Sequence, residues 1–133
     1  ILMDLIHHFY DKMPILGICL GMQAIGEHFG AKLVHASIPI HGKTSMVEHT
    51  QQELFHGITQ PTQVMRYHSL LLEHLPDCLE PTAWTATKEL MALKHKTYPI
   101  WGLQFHPESI LTLEGLAILE NWLEIGLKKA LNS

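Results

Sequence analysis

Apolar residues at Leu2, Leu5, Ile6 and Phe9 recur at the i, i+3, i+4, i+7 spacing of one helical face, so the chain is expected to open on an amphipathic helix. Pro14 breaks that pattern, because proline has no N–H to donate and its ring clashes with the preceding turn. Residues 14–19 (PILGIC) follow as a short continuous apolar run, which predicts a strand buried on both faces of a parallel sheet. Residues 21–29 return to a helical period, and Gly30 stands where a left-handed C-terminal stop belongs. The middle of the chain breaks into short runs separated by Pro, Gly and polar residues. They predict strands over 32–36, 44–49, 63–67, 84–87, 90–94 and 100–105, with a small helical turn near 53–56. Residues 112–131 close the chain as a helix. Leu116, Leu119, Leu123 and Leu127 make one apolar stripe, and Lys128 and Lys129 lie near its C-terminal end, where the helix dipole favours cations.

Helix, strand, tight turn, helix, then further strands and a terminal helix is the grammar of an α/β fold. The 133 residues suit a single domain spanning 1–133, with no internal repeat, low-complexity tract or linker. A composition 47% hydrophobic and 17% charged is globular. The net charge of −4 comes without a basic cluster, which argues against nucleic acid and anionic membranes as partners. No apolar run is long enough for a bilayer, no signal-peptide pattern is present, and Cys19 and Cys78 have no paired spacing; a reducing, cytoplasmic setting is expected. The eleven histidines fall in scattered contexts, without an HxxxH pair beside an acid or a Cys/His knuckle, so no metal site is expected. The chain begins with Ile1, which is not an ordinary translation start and points to a shortened N-terminus.

The chemistry concentrates in two places. Gly17-Ile18-Cys19-Leu20-Gly21 joins an apolar strand to a helix, the layout of a nucleophile elbow. Glycines flank the cysteine where a Cβ would collide with neighbouring backbone. The helix N-terminus offers its dipole and free N–H groups to a thiolate, which should lower the thiol pKa, and the N–H of Leu20 can donate to an oxyanion. Taken alone, the motif serves equally for a buried structural cysteine. A thiol nucleophile needs a base, and the strand at 100–105 delivers His106 at its C-terminal edge, followed by Pro107 and Glu108. Alternate residues share a side, so Glu108 can orient the imidazole; taken alone, this too could be a surface turn. Together the two stretches supply nucleophile, base and orienting carboxylate. Cys78, in the polar segment LPDCLEP, has no such context.

GICLGMQ at 17–23 with FHPE at 105–108 resembles the class I, triad-type glutamine amidotransferases. HGKTS at 41–45, YHSL at 67–70 and HPESI at 106–110 narrow the resemblance to the glutaminase subunits of chorismate-aminating synthases, which make anthranilate or aminodeoxychorismate. The resemblance implies an open mixed, mostly parallel sheet flanked by helices (a flavodoxin-like arrangement), with Cys19, His106 and Glu108 as the catalytic triad acting through a glutamyl thioester. It implies that Leu20, Gln23, Ser69 and Leu70 contact glutamine, that the 41–45 loop lies near a chorismate-using synthase partner, and that no cofactor is needed, magnesium belonging to that partner. Met22 stands where this group usually has histidine, although related amidotransferases carry methionine there. The family's Gly-Pro-Gly loop, which completes the oxyanion hole, does not occur here, so N-terminal strand–helix units are expected to be missing and the sheet to show an open apolar edge. Two alternatives follow: a non-catalytic docking piece, or the same chemistry serving another acceptor, as in GMP synthetase or carbamoyl-phosphate synthetase.

Overall fold

In a computed structural model, which describes residues 1–132 except for the side chains of 37–42, the elements follow the order read from the hydrophobic pattern. α1 (Leu2–Phe9) leads into β1 (Ile15–Ile18) and α2 (Leu20–Phe29). Then come β2 (Lys32–His49), a 3₁₀ turn (Glu53–Phe55), β3 (Thr62–Glu73), β4 (Leu79–Thr85), β5 (Leu90–His95), β6 (Ile100–Leu103) and α3 (Gly115–Leu131). The described strands form one six-stranded sheet in the order β1-β6-β5-β4-β2-β3. The sheet is mixed, as expected, but its parallel part is narrow. Only β1 with β6 is parallel, while β6–β5, β5–β4, β4–β2 and β2–β3 are antiparallel. Short connections between the middle strands explain this, since parallel pairs need a long crossover and antiparallel pairs do not.

Helices cover both faces of the β1–β6 pair. Ile100 packs in one cluster with Met22 and Ile25 of α2 and Ile6 of α1, whereas Trp101 and Leu103 pack in another with Phe55, Phe105 and Ile118 of α3. Period-two alternation thus sends neighbouring residues of β6 to opposite cores, and all four of its residues are buried. Gly102 makes room for α2, because a Cβ there would lie 2.7 Å from Met22 Cγ. Gly30 ends α2 in the left-handed region at φ 108°, with Ala31 N–H donating to Gly26 O at 2.8 Å.

Two expectations need correcting. The segments 32–36 and 44–49 belong to one long strand, β2, which stays paired with β3 across register shifts between His35 and Ile40 and between Ile40 and Lys43. Most of the leucine stripe of α3 faces outward: Leu116, Leu123 and Leu127 are 70%, 53% and 62% exposed, and Leu119 is half-buried. The helix buries Gly115, Ile118 and Gly126 instead, with Trp122 and Ile125 packed on the core. Asn121 Nδ2 donates to Leu54 O (2.8 Å) and His56 O (3.0 Å), fixing that face on the 3₁₀ turn. At the start of α3, a Cβ on Gly115 would fall 1.8 Å from Pro107 O, so only glycine permits the contact. Among the described strands β1 has a neighbour on one side only. Beside it runs an apolar groove of about 410 Å³, lined by Leu2, Leu5, Phe9, Ile15 and Ile18 among others.

Candidate active site

Cys19 sits between β1 and α2. Its N–H donates to Leu103 O at 2.7 Å, extending the β1–β6 pairing by one bond, and its carbonyl accepts from Gln23 N–H at 3.1 Å, opening the helix. Between those constraints its backbone adopts φ 56°, ψ −104°, a conformation costing a non-glycine residue on the order of 1–3 kcal/mol. The turn requires Gly17, because a Cβ there would lie 2.6 Å from Gly21 C and 2.7 Å from Gly21 O. The expectation that both glycines avoid a collision fails at Gly21, where a Cβ would meet nothing within 4 Å.

The Cys19 thiol donates to Tyr67 O at 3.8 Å, and its sulfur accepts from Gln104 Nε2 at 3.6 Å. Burial pushes the thiol above its ordinary pKa; the Leu20 N–H and Gln104 pull it down by less, and the Glu108 charge adds to the rise. The expected lowering by the helix N-terminus is therefore reversed: the donors are present, but desolvation of the charged form outweighs them.

His106 follows β6, and its Nδ1 lies 2.9 Å from Glu108 Oε2. Its backbone is tied down at both ends. The N–H donates to Met65 O at 3.1 Å, and the carbonyl accepts from Thr112 Oγ1 at 2.5 Å. The same hydroxyl accepts from Met65 N–H at 3.0 Å, so buried Thr112 clamps the loop after β6 onto β3.

β3 also supplies the wall facing Cys19. Leu70 O accepts from Gln23 Nε2 at 3.2 Å and from His68 Nδ1 at 3.1 Å. Buried Arg66 pairs with Glu89 (Nη2 to Oε1, 3.0 Å), donates to Ser45 Oγ (3.2 Å) and donates from Nε to His68 Nε2 (3.2 Å). Arginine only donates, so His68 Nε2 must accept and Nδ1 must carry the proton that reaches Leu70 O. Burial, then the Arg66 charge, lowers the His68 pKa and keeps this ring neutral.

These segments enclose a cavity of about 460 Å³ lined by Cys19, Leu20, Gln23, Ser69, Leu70 and His106, with Ile18, Tyr67 and His68. Glu108 joins it through His106. Cys78 lies elsewhere, against the cluster around Ile25 and Leu79. Of the 41–45 stretch, Lys43, Thr44 and Ser45 pair along β2 with Arg66, Met65 and Val64; the His41 side chain and the surroundings of Gly42 lie outside what is described. Sequence reasoning missed Gln104, His68 and Arg66. Gln104 was detectable as the one polar residue within the run 100–105, and Arg66 as a charge within an alternating strand. Among the described residues no helix is long and apolar enough to cross a membrane.

Comparison with known proteins agrees with this architecture. The model of the class-I glutamine amidotransferase family matches residues 1–125. The chain is 52% identical over 128 residues to anthranilate synthase component 2 of Pseudomonas putida, covering 91% of this chain and 65% of that protein. It is 46% identical over 123 residues to aminodeoxychorismate synthase component 2 of Escherichia coli K12, covering 91% and 66%. It thus spans about two-thirds of the length of these relatives. A solved structure from Thermoplasma acidophilum, that of a putative GMP synthase subunit, superposes with a TM-score of 0.88 at 34% identity, over 96% of this chain and 63% of that one. The strand–elbow–helix around Cys19, the His106–Glu108 pair and these similarities converge on one assignment: the chain belongs to the class-I glutamine amidotransferase family.

Proposed function

We propose that this chain carries the glutamine-hydrolysing site of an amidotransferase that delivers ammonia to a chorismate-aminating synthase. One observation carries the chemistry: a cysteine on a strained strand–helix turn shares a cavity with a histidine held by a carboxylate at 2.9 Å. Cys19 Sγ attacks the side-chain amide carbon of glutamine while its proton passes to His106 Nε2, which is the accepting nitrogen because Glu108 holds the proton on Nδ1. The Leu20 N–H receives the developing oxyanion. The tetrahedral adduct then collapses, with His106 returning the proton to the leaving nitrogen; ammonia departs and a glutamyl thioester remains. Water, deprotonated by His106, hydrolyses the thioester to glutamate and regenerates the thiol. Because the resting thiol is held protonated, the base is indispensable.

Gln23 has both amide N–H groups engaged, by Leu70 O and by Gln104 Oε1 at 3.3 Å. Its own Oε1 is left to accept from the ammonium of the substrate, beside the backbone of Ser69 and Leu70. The acceptor assignment rests on the relatives at 46–52% identity, whose names place them in anthranilate and aminodeoxychorismate synthases. The GMP synthase likeness, at 34%, supports the same glutamine chemistry with a different acceptor as the second reading.

In the intact protein, Cys19→Ser is expected to abolish ammonia release from glutamine, and an electrophilic glutamine analogue to label Cys19 and spare Cys78. An undiminished rate in Cys19→Ser overturns the assignment. Co-purification with a chorismate-binding rather than a nucleotide-binding partner decides the acceptor.

A further inference from the structure

We propose that Gln104 is a positioning residue for the sulfur of Cys19: its carboxamide, oriented by Gln23 and Leu70, keeps an N–H donor on Sγ. This rests on the glutaminase reading and adds a residue to it. Gln104 is completely buried just beyond β6, with its backbone N–H on Met91 O at 2.8 Å. A buried primary amide needs partners for both ends, and here each end has one. Oε1 accepts from Gln23 Nε2 at 3.3 Å, and Nε2 donates to Cys19 Sγ at 3.6 Å.

The direction of this chain is set from outside. Leu70 O can only accept, so Gln23 must turn its NH₂ group toward it, at 3.2 Å. The same NH₂ faces Gln104, which must therefore answer with oxygen. Flipping Gln104 would set two NH₂ groups against each other and point a carbonyl oxygen at the sulfur. Its N–H is thereby committed to Cys19. The neutral thiol donates to Tyr67 O while accepting from Gln104; once the proton has gone to His106, the Tyr67 contact becomes repulsive and the Gln104 bond becomes charge-assisted. Gln104 thus favours the sulfur at the moment of attack, and through Gln23 it ties that position to the group that holds the substrate.

The test is a pH titration of Cys19 alkylation by iodoacetamide in the full-length protein, which needs no glutamine. The other titratable groups around the sulfur are His106 and Glu108 after β6 and Tyr67 and His68 on β3, and none of them is altered in Gln104→Met. Losing a hydrogen bond to a charged group should raise the alkylation midpoint by about one pH unit and slow labelling at neutral pH about tenfold. In active protein kcat/KM should fall as well. A folded Gln104→Met whose midpoint stays at the wild-type value overturns the proposal.

If that variant does not fold, the unsubstituted protein decides. The side-chain ¹⁵Nε2 resonance of Gln104 should titrate with the same midpoint as Cys19 ¹³Cβ; a resonance that ignores the thiol overturns the proposal. Failure of the glutaminase reading looks different, since ammonia release would then be absent while the midpoint still moved.

Discussion

The two glycines of the elbow should respond oppositely to the same substitution. At Gly17 the added Cβ of alanine would sit 2.6 Å from the carbonyl carbon of Gly21 and 2.6 Å from Ile25 Cδ1. Ile25 can turn its terminal methyl away, but the backbone of α2 cannot yield without moving the helix. Ordinary carbon contacts begin near 3.5 Å, so β1 and α2 would have to separate by close to an ångström along a packed interface. Overpacking of this kind costs about 1–3 kcal/mol. At Gly21, in the first turn of α2, the same Cβ enters open space, and replacing a helical glycine by alanine gains up to about 1 kcal/mol. With a urea m-value of about 1.5 kcal/mol/M, the unfolding midpoint should fall by about 0.7–2 M in Gly17→Ala and rise by up to about 0.7 M in Gly21→Ala. Urea titrations followed by tryptophan fluorescence read both. Equal midpoints in the two variants, or a Gly21→Ala protein weaker than Gly17→Ala, would refute the steric account of the turn.

Acidification should weaken the fold. Burial lowers the pKa of His28, His68 and His95, helped by His7 at the first and by the Arg66 charge at the second. The unfolded chain titrates these groups near 6.5 and so binds more protons than the folded one below that pH, which means stability rises with pH. Full stability is expected above about pH 7, with a lower urea midpoint at pH 5.5; identical midpoints at the two values would contradict the assigned burial. On α3, Ile118→Ala removes a fully buried side chain and should cost about 2–5 kcal/mol. Replacing exposed Leu116 and Leu127 by glutamine should stay within about 0.5 kcal/mol each. Thermal melts that ranked the leucines above Ile118 would place the wrong face against the core.

How much of this was readable beforehand depended on how local the determinants were. The elbow was legible because its signals, an apolar run, a cysteine and a neighbouring glycine at position 17, all act within one turn. The second glycine was over-read, since it lines the open groove that α1 and β1 leave beside α2, which no local signal shows. The orientation of α3 was not legible: leucines at 116, 123 and 127 and the set Ile118, Trp122, Ile125 both repeat at helical spacing. The choice is made by Asn121 reaching the carbonyls of Leu54 and His56 and by Gly115 pressing on Pro107. The charge state of Cys19 was likewise out of reach of the motif. It reflects desolvation inside a cavity walled by β3 and the opposing effects of Gln104 and Glu108, all distant in sequence.

The cavity around Cys19 also has a history in time. Eighty-five residues separate the cysteine from Gln104, and a ribosome adding about 5–20 residues per second needs roughly 4–17 s to make them. Throughout that interval the thiol belongs to an unfinished chain, at its ordinary ionisation and open to oxidants and electrophiles. Closure of β6 onto β1 then brings in the buried surroundings that hold the sulfur protonated. Completing the sheet therefore shields the nucleophile at the same moment that it assembles the groups able to use it.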